Sequence, residues 1–126
     1  MIFEHFALNV PEARAAAAWY VQHLGCTIAR SQSDAPHTHF LADGSGRVFL
    51  EVYSNPLDPI PVYGTQHPLR LHLGLAVADA RAERTRLESA GATPVMEELL
   101  PDGSLLIMMR DPWGVPVQLC QRAKPF

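Results

Sequence analysis

The sequence predicts an α+β fold, two tandem β-α-β-β-β modules forming a curved mixed sheet around a cleft. Three observations predict it. The stretch opened by His5 (His5-Phe6-Ala7-Leu8-Asn9-Val10-Pro11-Glu12-Ala13-Arg14-Ala15) returns at His72 (His72-Leu73-Gly74-Leu75-Ala76-Val77-Ala78-Asp79-Ala80-Arg81-Ala82), 67 residues later. Leu8/Leu75, Val10/Val77, Ala13/Ala80, Arg14/Arg81 and Ala15/Ala82 are identical at that spacing. Glu51 and Gln118, each in an apolar strand-like run, are also 67 apart. Repetition at a fixed period marks a duplicated structural unit. Within each copy, strand-like runs alternate with one helical segment.

The elements follow in order. Ile2 to Val10 reads as a strand. Pro11 opens a helix, with Glu12 as an acid in its first turn. Ala13 to Leu24 is rich in strong helix formers, and Gly25 stops it. Strand-like runs follow near 26–32, 37–42 and 47–54, the last two joined by the hairpin signal Asp43-Gly44-Ser45-Gly46. The plan then repeats. Leu71 to Val77 is a strand, Asp79 caps a helix to about Ala90, and Gly91 ends it. Strands near 92–99, 104–110 and 115–121 follow, with Asp111-Pro112-Trp113-Gly114 as the last turn. Between the copies, 55–69 holds Pro56, Pro59, Pro61 and Pro68, too many prolines for a central strand. The division is therefore module one 1–54, linker 55–69 and module two 70–126, all in one domain of 126 residues.

Alternation assigns faces, because side chains on a strand point to opposite sides in turn. His5 shares a face with Phe3, Ala7 and Asn9, and Glu51 with Arg47, Phe49 and Tyr53. His72 shares one with Arg70, Gly74 and Ala76, and Gln118 with Pro116 and Cys120. Each opposite face is aliphatic (Val48, Leu50 and Val52 beside Glu51, for example) and is where a helix packs. The mixed faces are expected to line the cleft. His5, Glu51, His72 and Gln118 are thus candidates for one shared polar site. A lone His5 is an ordinary strand histidine, and Gln118 alone says nothing. Glu51 between Leu50 and Val52 is costly unless paired or metal-bound.

Other residues take plainer readings. His37 and His39 are spaced for one strand face, and hairpin register decides whether they turn towards Glu51 or away; exposed strand histidines are the expectation. Cys120 reads as a small buried hydrophobe. Trp19, Tyr20 and Leu24 read as core. Phe3, Phe49 and Tyr53 are candidate aromatic lining for a substrate. Arg47 and Arg70 could hold an anionic substrate, although strand-end arginines are usually solvated.

Composition narrows the function classes. The chain is 48% hydrophobic and 18% charged, as in an ordinary soluble domain. A net charge of −3 without a basic stripe gives nucleic-acid binding no support. No apolar run reaches a membrane span, and the start lacks a signal-peptide layout. Two cysteines make no disulfide framework, so a cytoplasmic location is expected.

These pieces resemble the vicinal oxygen chelate superfamily, which includes glyoxalase I, methylmalonyl-CoA epimerase, fosfomycin-resistance thiol transferases, extradiol dioxygenases and bleomycin-resistance proteins. The segments that carry the resemblance are Glu4 to Val10, Phe49 to Val52, Leu71 to Val77 and Arg110 to Leu119. The last is the most specific, since the family reads D-P-x-G followed by a strand with a glutamate. The resemblance implies a glyoxalase-like fold, a homodimer and a divalent metal (Zn, Ni, Co, Mn or Fe(II)) on His5, Glu51, His72 and Gln118. The departure is at Gln118, where a glutamate that binds metal and often moves a proton is usual. Glutamine offers a carbonyl oxygen but cannot act as a base. Glu51, the one carboxylate, then becomes the candidate catalytic base.

Two histidines and one carboxylate leave open positions for substrate oxygens. The leading expectation is a metal-dependent glyoxalase-like lyase or isomerase that abstracts a proton beside a carbonyl of a small oxygenated substrate, through a metal-stabilised enolate. An Fe(II)-dependent ring-cleaving dioxygenase uses a similar ligand set. A metal-free protein that binds and sequesters a drug, of the bleomycin-resistance type, is the alternative from another class.

Overall fold

The computed structural model describes residues 1–126. The chain divides into two compact units, Met1–Pro61 and Val62–Phe126. The first contains β1 (Phe6–Asn9), α1 (Ala13–Leu24), β2 (Thr27–Ser31), β3 (His39–Ala42) and β4 (Val48–Tyr53). The second contains two short 3₁₀ turns (Tyr63–Thr65 and Pro68–Arg70), then β5 (Leu73–Ala76), α2 (Ala80–Ser89), β6 (Thr93–Leu99), β7 (Leu105–Arg110) and β8 (Pro116–Gln121). The strand orders are β1-β4-β3-β2 and β5-β8-β7-β6. In both sheets the first pair is parallel and the others antiparallel. The fold is therefore α+β, two repeated modules with a mixed four-stranded sheet each. No helix is long and apolar enough to cross a membrane.

In the first unit, α1 buries Ala13, Ala16, Ala17 and Tyr20, the i, i+3, i+4, i+7 stripe of an amphipathic helix. The small alanines let its backbone approach β3 and β4, where Leu41, Leu50 and Val52 are fully buried. Gly25 ends the helix at φ 70°, a left-handed conformation that costs a residue with a Cβ. Glu12 is not in the first turn as expected. It is the residue before the helix, and its side chain caps nothing. Trp19 and Leu24 are half-buried, and only Tyr20 of the three expected core residues is fully inside.

In the second unit, α2 lies on β7 and β8, with Leu87 against a layer that includes Ile107, Met109 and Leu119. Asp79 caps it as expected, its carboxylate accepting from the N–H groups of Arg81 and Ala82 at 3.1 and 3.0 Å. The turn before β8 is organised by Asp111. This buried carboxylate accepts from the N–H groups of Trp113 and Val115 at 2.9 and 2.8 Å. Gly114 has φ 84°, and a Cβ there would meet the Gly64 nitrogen at 2.7 Å. Both its conformation and its surroundings require glycine. Residues 62–69 of the proline-rich segment fold onto this unit, because Arg110 donates to the carbonyls of Tyr63 and Gln66 at 2.8 and 2.6 Å.

Candidate functional site

Glu51 is in the middle of β4. It stands opposite Ala7 of β1 and Phe40 of β3, so these three share a face. His5 comes just before β1, and its Nε2 lies 3.0 Å from Glu51 Oε2. The ring edge packs on Phe40, with centroids 5.4 Å apart and an interplanar angle of 77°. The other ring nitrogen, Nδ1, meets Glu4 Oε2. His5 therefore has a carboxylate oxygen at each nitrogen. A neutral imidazole has one N–H, so with Nδ1–H given to Glu4, Nε2 and Glu51 Oε2 are two lone pairs facing each other. In that tautomer a cation between them makes the contact favourable; in the other, Nε2–H donates to Glu51 Oε2 and the contact is an ordinary hydrogen bond. The 3.0 Å separation is that of a hydrogen bond, and the two atoms are also close enough to serve one ion. Glu4 was absent from the sequence-derived set. The adjacent Glu4-His5 pair was a usable signal, and alternation hid it by sending Glu4 to the opposite face.

The chain departs from the alternation at several candidate positions. β1 begins at Phe6, so Phe3 and His5 lie before any paired strand. Phe3 is exposed, and its carbonyl accepts from Arg47 at 3.2 Å, which ties Arg47 to the backbone. Arg70 is exposed on a 3₁₀ turn, so the strand argument that gave it a substrate role does not reach it. A β-bulge separates the pairs Leu41↔Leu50 and Ala42↔Val48, leaving Phe49 as the extra residue. Val48 accordingly leaves the helix-facing side to which it was assigned. It lines a hollow of about 160 Å³ together with Glu4, Ala29, Arg30 and Phe40. Tyr53, opposite Asn9, remains half-buried at the end of β4.

The same bulge resolves the register of the hairpin. Phe40 faces with Glu51, and His39, opposite Val52, turns the other way. His37 and His39 are half-buried rather than exposed. His37 contacts Arg14 of α1, with 3.0 Å from Nη2 to either ring nitrogen, and its Nδ1 is 2.7 Å from the Ser33 carbonyl.

In the second unit, Gln118 stands opposite Gly74 of β5 and Met108 of β7. His72 comes just before β5, two residues from Gly74, and its side chain is exposed. His72 and Gln118 line one cavity of about 570 Å³. Gly74 and Ala76 give it a low floor, and Cys120 follows Gln118 along β8. Cys120 Sγ is 3.4 Å from Gln118 Oε1. Burial pushes the Cys120 thiol above its ordinary range, with the Arg122 charge pulling weakly the other way. It is a small buried side chain and not an activated nucleophile. Within either unit, no three His, Cys, Asp or Glu side chains gather as metal ligands would.

Residues 5–120 match the family model described as a glyoxalase-like domain. The chain belongs to this family. Its fold is accordingly that of the vicinal oxygen chelate superfamily. No curated protein matches the glyoxalase-like chain in sequence. Among solved structures it is similar to TnmS3, an antibiotic-binding protein from Streptomyces sp. CB03234, at 22% identity and TM-score 0.72, over 98% of this chain and 97% of that one. It is similar to lactoylglutathione lyase from Agrobacterium tumefaciens at 21% identity and TM-score 0.68, over 95% and 92% of the two chains. It also resembles the trypanothione-dependent glyoxalase I of Leishmania major at 21% identity and TM-score 0.71, over 96% and 86%. At these identities the likeness establishes the fold, which enzymes and binding proteins share.

Proposed function

We propose that this glyoxalase-like chain is a metal-dependent lyase or isomerase that removes a proton beside a carbonyl in a small oxygenated substrate. The observation that supports it is the His5 Nε2–Glu51 Oε2 pair at 3.0 Å, an imidazole and a carboxylate close enough to serve one ion. His5 and Glu51 would hold a divalent ion (Zn, Ni, Co, Mn or Fe(II)), and the repeat adds His72 and Gln118 as the other ligands. When bound, the ion supplies Lewis-acid polarisation of the substrate carbonyl.

The rest falls to the chain itself. Glu51 is the one carboxylate of the four and takes the proton from carbon. Glu4 keeps the Nδ1–H of His5 engaged, so that Nε2 presents its lone pair. Gln118 offers only its carbonyl oxygen and moves no proton. Phe49 and Tyr53 provide aromatic surface to the substrate. A soluble homodimer in the cytoplasm completes the reading.

Metal analysis of the purified protein tests it. One divalent ion per chain, lost in Glu51→Gln, is the expected result. A chain that takes up none of the five ions sinks the proposal. The metal-free binding protein is the second reading, because a proton shared among Glu4, His5 and Glu51 would satisfy the same contacts. An iron-dependent dioxygenase would instead consume oxygen with catechols.

A further inference from the structure

The cavity of the second unit contains a group that the metal reading does not use. Arg122 follows Gln118 and Cys120 at strand spacing, one residue past the end of β8, and its side chain lines the cavity. Its Nε is shut off from solvent and has no hydrogen-bond partner. Buried donors are nearly always paired, so an orphan N–H in a side chain of the cavity wall leaves that guanidinium short of an acceptor. Asp102 feels the Arg122 charge, but its carboxylate is already engaged by the Ser104 N–H at 2.9 Å and the Ser104 hydroxyl at 3.1 Å.

The surroundings select the kind of acceptor. The guanidinium carbon of Arg122 lies 5.1 Å from the centroid of the Phe126 ring. That contact occupies one flat face of the guanidinium. Gly74 and Ala76 leave room beside it, since even a Cβ built on Gly74 would come no closer to any neighbour than 3.8 Å, to Cys120 Sγ. A volume of about 570 Å³ is within the range of small-molecule sites. A carboxylate is the acceptor that matches a guanidinium edge, with two parallel N–H···O bonds.

We propose that this cavity recognises an organic carboxylate, which lies against the guanidinium of Arg122 while its apolar part lies over Gly74 and Ala76. Phe126, itself exposed, lies against the guanidinium. The substrate of the function proposed above is then a small carboxylic acid. This assignment rests on that reading only in treating the bound acid as substrate; recognition of the carboxylate requires no metal.

The test uses chelator-treated full-length protein and two isosteric probes, 2-naphthoate and 2-naphthamide, followed by calorimetry and by NMR of the Arg122 Nε–H resonance. Naphthoate should bind at least about tenfold more tightly than naphthamide, as a charge-assisted hydrogen bond implies, and should shift that resonance. Arg122→Gln should erase the preference, and Arg122→Lys should keep part of it. Circular dichroism and denaturant unfolding check that both variants fold, and Arg122→Lys carries the test if Arg122→Gln does not. Equal binding of the probes, no binding of naphthoate at millimolar concentration, or a preference unchanged in a folded variant overturns the proposal. Metal uptake is measured separately, so its failure removes the lyase reading while the naphthoate result stands or falls alone.

Discussion

Ser54 and Gln121 play the same part in the two units. Ser54 Oγ accepts from the Ala13 N–H at 2.8 Å, and Gln121 Oε1 accepts from the Ala80 N–H at 2.9 Å. Acceptors and donors are both 67 residues apart. In each unit the end of the strand beside the first strand caps the start of the helix, which locks helix to sheet. Ser54 also donates to the Val10 carbonyl at 2.8 Å, so its hydroxyl joins three elements.

Ser54→Ala should therefore lower stability by about 1–2 kcal/mol, and Gln121→Ala by about 1 kcal/mol, as for other lost helix caps. Urea unfolding of the two variants checks both values. Equal stability in wild type and Ser54→Ala would mean that water replaces the hydroxyl at no cost.

Glycines at similar φ separate backbone strain from crowding. Gly114 and Gly46 have φ 84° and 82°, but only Gly114 has a close neighbour, the Gly64 nitrogen at 2.7 Å from a built Cβ. Gly46→Ala should cost about 1 kcal/mol, the left-handed penalty alone. Gly114→Ala should cost roughly 3 kcal/mol, because the 3₁₀ turn at Tyr63–Thr65 must also move. Denaturant midpoints of the two variants provide the comparison.

The register shows which parts of this fold could be read from sequence. Asp43 and Asp111 occupy equivalent turns 68 residues apart, yet Glu51 and Gln118 are 67 apart. The bulge residue Phe49 absorbs the difference. It returns Glu51 to the position opposite Phe40 that Gln118 has opposite Met108. The end of helix α1 was legible to the residue, since Gly25 acts locally, whereas its start falls two residues after Pro11. The faces of Glu51, Gln118 and Cys120 were legible because regular alternation holds in mid-strand. Alternation failed at Val48, Phe3 and Arg70, where a bulge or a strand end breaks the period. Glu4 was missed for the same reason. Arg122 was hidden because its proposed role depends on a cavity, which has no sequence period.

Cys26 should titrate late. Burial first, and then the Asp43 charge, pushes its thiol from 9.0 up to about 11. The folded state thus holds the neutral thiol more firmly than the unfolded chain does. The associated stability is fully present below pH 9.0 and is lost as pH rises through about 11. Iodoacetamide should leave Cys26 unmodified at pH 8 in folded protein and label it in urea, because the thiolate is the reactive form. Prompt labelling of Cys26 in the native state would show that this part of the first unit opens readily.

The charge at the equivalent positions Glu51 and Gln118 gives the most decisive test of the proposed metal site. A divalent ion with Glu51 as its one carboxylate leaves a net charge of about +1. Gln118→Glu brings a second carboxylate to the position equivalent to Glu51, and Coulomb attraction should strengthen metal binding by on the order of a few kcal/mol after desolvation is subtracted. Glu51→Gln removes the only carboxylate of the set and should weaken binding by a similar amount. Competition with a chelator reads both changes. Turnover on hemithioacetal or acyl-thioester substrates reads a separate effect, since Gln118→Glu also places a proton acceptor on the second unit. Activity should therefore fall sharply in Glu51→Gln and rise, or change its pH profile, in Gln118→Glu. The double variant restores one carboxylate in the other unit, and its metal affinity should return towards that of the wild type. If both single variants bind metal as the wild type does, neither Glu51 nor Gln118 faces the ion. The 3.0 Å contact between His5 and Glu51 is then a hydrogen bond held by a proton shared with Glu4.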